Sequence, residues 1–239
     1  MISLKDKKVV IVGASSGIGK ALAKLFIEKE SIVYLVSRTE SKLKQVQEEI
    51  GGITHVIPMD MLNEHSVNKA FSKIGKFDFL SFSAVSDETK LMSQIKDMDT
   101  EIAQRGMEKF WGTFNCCRAA ANYINKGGSI VVTSSMAIYR PSKNGASIMN
   151  AASAAVNVFA KSLAREISPT RVNIIAPGVV KTGVWTENEK TNFSEWAKNT
   201  LPVEHLGTAD ELAYTYFNAL TNPYMTGTTI TVDGGLTLI

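Results

Sequence analysis

Short β-branched runs alternate with longer stretches whose apolar residues recur at helical spacing, and this alternation organises the whole chain. Residues 8–12, 32–37, 55–59 and 77–83 read as strands; residues 18–29, 41–50 and 64–74 read as the helices between them. Gly51-Gly52 and Gly75 end two of those helices. The second half predicts a long helical region ending near residue 124, a strand over 129–134 and a helix over about 149–167. Strand 172–176, helix 209–220 and strand 228–232 follow. The pattern predicts an α/β protein, a Rossmann-type doubly wound parallel sheet of about seven strands with helices on both faces. No proline-rich linker and no fixed-period repeat divides the chain, so residues 1–239 are expected to form a single domain. Residues 181–206 are the least regular segment, polar yet carrying Trp185, Phe193 and Trp196. At the carboxyl ends of the strands it would serve as a lid over substrate, or equally as a surface loop pinned by its aromatics.

With 44% hydrophobic and 21% charged residues, the chain has the makeup of a soluble globular protein, which excludes disordered and disulfide-scaffold classes. The 26 Lys and Arg against 23 acids leave a net charge of +3 with no basic cluster, so no nucleic-acid partner is expected. The charged start of the chain runs into an apolar segment too short for a signal peptide or membrane span, so no membrane partner and a cytoplasmic location are expected. The 2 cysteines, Cys116 and Cys117, are adjacent and disfavour a mutual disulfide; with His55, His65 and His205 scattered, no metal site is expected. Reduced structural thiols are the reading.

Strand 8–12 feeds Gly13-Ala14-Ser15-Ser16-Gly17-Ile18-Gly19 and then a helix, an order that sets backbone N–H groups and a positive helix end against a pyrophosphate. Gly13 permits the tight turn, Gly17 and Gly19 remove side chains where phosphate and strand come close, and Ser15 and Ser16 offer hydroxyls. At the end of the second strand, where NAD-preferring enzymes carry an acid, the chain reads Ser37-Arg38-Thr39. A guanidinium without an acid suits a 2′-phosphate, so NADP(H) is the expected cofactor; Glu40, turned inward, would favour NAD(H) instead.

From these residues the chain resembles the short-chain dehydrogenase/reductase family over essentially its whole length. The matching signposts are Gly13 to Gly19, Asp60, the run from Gly128 to Ser135, Lys161 to Glu166, Val172-Asn173, Pro177-Gly178, Thr182, and Thr226-Gly227 through Val232-Asp233-Gly234-Gly235. The resemblance implies that Asp60 and Met61 flank the adenine, that Ser83 and Ala84 line the cofactor, and that Val180 and Thr182 hold the nicotinamide amide. The resemblance also implies that Pro177 and Gly178 line the cofactor, although the turn would serve the fold by loop geometry alone.

By resemblance, catalysis would need a tyrosine acid-base, a lysine four residues later that lowers its pKa and holds the nicotinamide ribose, a serine that polarises the carbonyl, and an asparagine in the preceding long helix. A phenol titrating near 10 needs such a neighbouring cation to exchange protons near neutrality. A literal match, Tyr139-Arg140-Pro141-Ser142-Lys143, is a decoy: Pro141 breaks the helix that would present both side chains, and its spacing to the flanking signposts is wrong. Counting back from Lys161 to Ala164 puts the tyrosine position at Met149 and the lysine position at Ser153. Ser135 matches the serine, and the asparagine position falls on Lys109. The expected active site is therefore atypical, with Ser135 alone retained.

Two functions are open at this point. The first is an NADP(H)-binding oxidoreductase acting on a small carbonyl or alcohol by a non-standard proton route, with Lys109, Tyr139 or Lys143 as sources of rescue. The second is an inactive relative serving as cofactor sensor, regulatory partner or structural subunit. An apolar pocket of Ser135, Met136, Met149, residues 82–86 and residues 185–196 would take the small-molecule substrate. Family resemblance and the alanines at 151, 152, 154, 155 and 160 imply a homodimer or homotetramer.

Overall fold

The computed structural model describes residues 3–84, 91–143, 145–181 and 187–239. The strands are β1 (Lys8–Val12), β2 (Ile32–Ser37), β3 (Thr54–Pro58), β4 (Phe77–Phe82), β5 (Ile124–Thr133), β6 (Arg171–Pro177), β7 (Val180–Lys181), β8 (Gly207–Thr208) and β9 (Thr229–Val232). The helices are α1 (Gly17–Ile27), α2 (Glu40–Ile50), α3 (Glu64–Ile74), α4 (Thr100–Gly106), α5 (Glu108–Ala120), α6 (Ser147–Glu166), α7 (Glu187–Thr200) and α8 (Ala209–Thr221). Seven strands form one parallel sheet in the order β3-β2-β1-β4-β5-β6-β9. The chain winds outward from β1 in one direction, returns, and winds outward from β4 in the other. The expected doubly wound sheet of seven strands is therefore present, and its switch point lies between the carboxyl ends of β1 and β4.

Alternation along β1 divides the core. Val10 and Val12 point into a cluster with Phe71, Phe77, Leu80, Phe82, Cys116 and Cys117 beneath α3, α5 and α6. Val9 and Ile11 point the other way, into a cluster with Leu22, Phe26, Leu35 and Tyr216 beneath α1 and α8. A strand covered on both faces needs an unbroken apolar run, which is why Val-Val-Ile-Val carries no polar residue. One hydrogen-bonded chain crosses this core: Tyr216 Oη lies 2.6 Å from Thr133 Oγ1, which donates to the Phe82 carbonyl at 2.7 Å. With the Thr133 proton so committed, the buried Tyr216 hydroxyl is the donor in the first bond.

Helix ends follow the expected chemistry. Gly51 (φ 63°) and Gly75 (φ 67°) close α2 and α3 in the left-handed region, each donating back into its helix. Thr208 and Glu211 form a capping box at the start of α8.

Two expectations need correction. The helical region expected to run to about residue 124 is two helices, α4 and α5, and Ile124 already pairs with Phe77 in β5. The strand then absorbs an irregularity around Gly127 (φ 79°) before resuming regular pairing at Ser129. The segment 181–206, read as irregular, contains α7 and is bracketed by the small parallel pair β7 and β8. α7 escaped detection because, among its described side chains, only Ala197 is deeply buried, packed with Leu201 just past the helix end and with Leu206, leaving too few apolar positions to mark a period. Trp185 lies outside the described residues.

Candidate functional site

The turn after β1 is shaped by backbone contacts that admit no side chain. Gly13 adopts φ 96°, and both its N–H and that of Ala14 donate to the Val36 carbonyl at the end of β2. A Cβ at Gly13 would lie 2.6 Å from the Ala84 nitrogen, and one at Gly19 would collide with the Gly13 carbonyl and come 2.8 Å from Ser83 Oγ. Ser83 fixes the other wall, donating from both N–H and Oγ to the Val12 carbonyl at 2.9 and 3.1 Å. Gly17 (φ 53°) and Ile18 open α1, and Ser16, in extended conformation, does not cap it with its side chain. The first-turn amides of α1 thus lie free of side-chain capping at the strand ends, and the residues present fit a dinucleotide's diphosphate.

Beyond the turn, Ser15, Ser16, Lys20, Lys42, Gln45, Val46 and Glu49 line a cleft between α1 and α2, in which Lys20 pairs with Glu49 at 2.5 Å. Arg38 is exposed where β2 ends, and Thr39 stands at the start of α2. Glu40 does not turn inward: it pairs with Lys44 at 2.8 Å along its own helix, and that hydrogen bond holds its carboxyl below the usual range. The Ser37 hydroxyl is buried at the same strand end with no hydrogen-bond partner among the described residues.

The remaining expected cofactor residues gather at the same sheet edge. Asp60 is exposed after β3 and accepts from the Leu62 amide at 3.0 Å. Met61 lies against α5, where Gly112 leaves it room, and its carbonyl accepts from Asn115 Nδ2 at 3.1 Å. Pro177 ends β6; Gly178 donates to the Val232 carbonyl at 2.9 Å, and a Cβ there would meet Asp233. Val180 is buried in β7. Thr182, Val85 and Ser86 lie outside the described residues.

At the far end of the cleft, Ser135 caps a short 3-10 turn (Met136–Ile138), its Oγ accepting from the Ala137 amide at 3.2 Å. Met149 and Ser153 sit four residues apart on α6 and are both buried. Met149 packs with Leu91 and Ala146. Lys109, 6% exposed, crosses from α5, and its Nζ donates to the Ser134 carbonyl at 2.9 Å and to Ser153 Oγ at 3.2 Å. Ser134 in turn donates from Oγ to the Ser153 carbonyl at 2.9 Å. The structure therefore brings Ser153 and Lys109 into contact and ties both to the residue preceding Ser135. Tyr139 and Lys143 are not on a helix: Tyr139 is 54% exposed, and the Lys143 carbonyl accepts from Gln94. Ser134 was not singled out from the sequence, although its place between Thr133 and Ser135 is a signal for it.

Among the described residues, no group of three His, Cys, Asp or Glu side chains is arranged to hold a metal, and no helix is long and apolar enough to cross a membrane. Cys116 and Cys117 are free and fully buried, and burial pushes the Cys117 thiol up to about 12.

Residues 13–237 match a family model described as enoyl-(acyl carrier protein) reductase. The chain belongs to the short-chain dehydrogenase/reductase family. It is 31% identical to the 3-oxoacyl-[acyl-carrier-protein] reductase of Rattus norvegicus, over 98% of this chain and 99% of that one. It is 30% identical to carbonyl reductase family member 4 of Xenopus laevis, again over 98% and 99% of the two chains. Among solved structures, a small-chain dehydrogenase in complex with NADPH superposes with a TM-score of 0.82 at 30% identity, covering 98% of this chain and 100% of that one. A short-chain dehydrogenase/reductase is a nicotinamide-dependent oxidoreductase, and the glycine turn has the geometry such a cofactor needs.

Proposed function

We propose that the protein is an NADP(H)-dependent oxidoreductase that acts on a small carbonyl or the corresponding alcohol, with proton transfer by a route other than a tyrosine on α6. The glycine turn carries this reading: glycines that admit no side chain close the backbone against Ser83 and Ala84 and leave the start of α1 open to a diphosphate. When bound, the nicotinamide supplies or accepts the hydride. Gly13, Ser15, Ser16, Gly17, Ile18 and Gly19 would hold the pyrophosphate, and Ser83, Ala84, Pro177, Gly178 and Val180 the nicotinamide half. Asp60 and Met61 would flank the adenine. Arg38 would take the 2′-phosphate, a preference supported by the engagement of Glu40 with Lys44.

Ser135 would donate to the carbonyl oxygen. Met149, on the proposed correspondence with the family, stands where a tyrosine would exchange the proton, and a thioether cannot do so. The names of the relatives make a 3-oxoacyl thioester the first substrate to try, and the apolar Met136 next to Ser135, with Leu91 packed on Met149, suits an acyl chain. Segment 181–206, with α7, is proposed as the lid.

Homo-oligomerisation through α5 and α6 is supported by an apolar surface. Trp111 (53% exposed) and Val158 (67% exposed) border the ring cluster of Phe110, Phe114 and Phe159, and Ala151 and Ala154 are exposed along the same helix. Light scattering is expected to return a dimer or tetramer; a monomer would remove this part of the reading.

Calorimetric titration with NADPH and NADH tests the whole. NADPH should bind at least about tenfold more tightly than NADH, a difference matching one charge-assisted phosphate contact. Binding with no turnover of any carbonyl would favour a cofactor sensor, the reading that Met149 supports. Binding of neither would refute both.

A further inference from the structure

The turn after β3 is held by more than the sheet it leaves. In a doubly wound sheet, ligands lie across the carboxyl ends of the strands at the switch point, so the half of a dinucleotide that extends past β1 runs over the ends of β2 and β3. Asp60, Met61 and Leu62 follow β3 at that end. The peptide group joining Met61 to Leu62 is planar and rigid, and it is gripped at both edges. Its N–H donates to Asp60 Oδ1 at 3.0 Å, and its carbonyl accepts from Asn115 Nδ2, on α5, at 3.1 Å. A donor on the carbonyl polarises the peptide and strengthens the N–H bond on its other side. The exposed Asp60 carboxylate is thus aimed, through one peptide plane, by a side chain 54 residues beyond Met61. The Asp60 amide is committed as well, donating to Ser66 Oγ at 3.1 Å.

α5 meets this stretch at a spacing of three. Gly112 leaves space that the Met61 thioether fills, a Cβ there lying 2.7 Å from its Sδ; Asn115 takes the Met61 carbonyl; Arg118 pairs with Glu64, at the start of α3, at 2.7 Å. That spacing puts all three on one helix face. The Arg118 pair is exposed and adds little strength, so the part-buried Asn115 bond carries more of the grip.

We propose that Asn115 is a positioning residue for the cofactor: it holds the Asp60 carboxylate where it accepts a hydrogen bond from the 6-amino group of adenine, and so makes the site prefer an adenine dinucleotide to its 6-oxo, hypoxanthine counterpart. The inference rests on the cofactor reading above, in which Asp60 and Met61 flank the adenine, and deepens it. A carboxylate is an acceptor only, so it is attracted by an amino group and repelled by the oxygen that hypoxanthine carries at the same place. Discrimination of this kind depends on aim, since a hydrogen bond weakens steeply once donor and acceptor fall out of line. An Asn115 that only pinned α5 to the turn would change stability and leave the choice of base alone.

The test is a double-mutant cycle on the intact protein, with Asn115→Leu, Asp60→Asn and the two combined. Calorimetry gives the dissociation constants of NADPH and of its hypoxanthine analogue, with no substrate present, and their ratio is the base preference. The unsubstituted protein should prefer NADPH by about tenfold, the scale of one well-aligned hydrogen bond to a charged group. Asn115→Leu, which removes the donor, should cut that preference by about threefold. Asp60→Asn should cut it at least as far, and adding Asn115→Leu to it should change the preference no further. Asn115→Asp, which puts an acceptor of the same shape against the Met61 carbonyl, should act as Asn115→Leu does and serves in its place if the leucine variant fails to fold. Melting temperatures of all variants separate lost aim from lost fold. An unchanged preference in a folded Asn115 variant overturns the proposal, and so do fully additive effects in the cycle. Tight binding of NADPH with no base preference in the unsubstituted protein overturns it too. If that protein binds neither NADPH nor NADH, the oxidoreductase reading itself falls, which is a different result from an unchanged preference.

Discussion

At the β1–α1 turn the protein works with its backbone, whereas at the meeting of β5, α5 and α6 it works with side chains. The turn holds its shape because Gly13 and Gly19 lie against other main-chain atoms, so nearly every substitution there deforms the chain. At the other end, Met149, Ser153 and Lys109 project from regular helices whose backbone hydrogen bonds do not depend on which side chain is attached. Chemistry can therefore be rewritten at the side-chain end while the fold and the cofactor cradle stand. On the proposed reading, this contrast is what lets a chain keep a dinucleotide turn while other groups stand beside the substrate.

The sharpest way to break this contrast is Gly19→Val. Its side chain must displace the Gly13 carbonyl and Ser83, so NADPH affinity should fall on the order of 100-fold or more as several amide contacts are lost, with a lower melting temperature. Retained binding in a calorimetric titration would show that the cradle does not hold the cofactor. A change at the other end should act in the opposite sense: Met149→Tyr/Ser153→Lys should leave binding nearly unchanged and raise carbonyl reductase turnover by roughly 10²-fold or more, the usual worth of an acid-base group. Steady-state kinetics decide this, and no gain would mean that the proposed correspondence on α6 is out of register.

Smaller effects test the scaffold joining the two ends. Tyr216→Phe deletes the donor to Thr133 while Thr133 keeps its bond to the Phe82 carbonyl. It should cost about 1 kcal/mol, or roughly 3 °C in melting temperature, with cofactor affinity intact. The smallest is a pH effect at His205, whose Nδ1 faces the Val203 carbonyl at 2.8 Å and whose Nε2 faces Glu211 at 3.0 Å. Both partners are acceptors, so the imidazolium satisfies both bonds. The Val203 carbonyl, then Glu211, raises the His205 pKa above its ordinary 6.5. Its contribution is fully present below about 6.5 and lost as pH rises through the higher folded value. Glu211 is lowered from 4.5, first by the Thr208 amide, so its share is present above about 4.5 and lost as pH falls through the folded value. His205→Gln should flatten the slope of melting temperature against pH above 6.5; an unchanged slope would show that His205 adds no pH-dependent stability.

Much of the fold was legible because a doubly wound sheet writes itself in apolar runs. β1 and β2 fall where the runs predict, since strands buried on both faces cannot hide polar residues. α7 was not legible, because a helix lying on the surface of a finished core needs only a few inward residues, here Ala197, with Leu201 just past its end. The glycine turn was readable from spacing, and the helix-breaking Pro141 identified Tyr139 to Lys143 as a non-helical stretch. The contact between Lys109 and Ser153 was not. It joins residues 44 apart on two helices, and no local pattern encodes the angle at which α5 and α6 meet.

The adjacent thiols on α5 turn the core into its own clock. Cys116 and Cys117 are 0% exposed, and burial holds both as unreactive thiols, the Cys117 pKa at about 12. Alkylation requires a thiolate that reagent can reach, so it proceeds only from molecules in which α5 has come away from the sheet. A mass spectrum taken during slow labelling would count those openings one molecule at a time. Because the two thiols are neighbours, chains carrying two labels and none carrying one would report that α5 detaches as a unit.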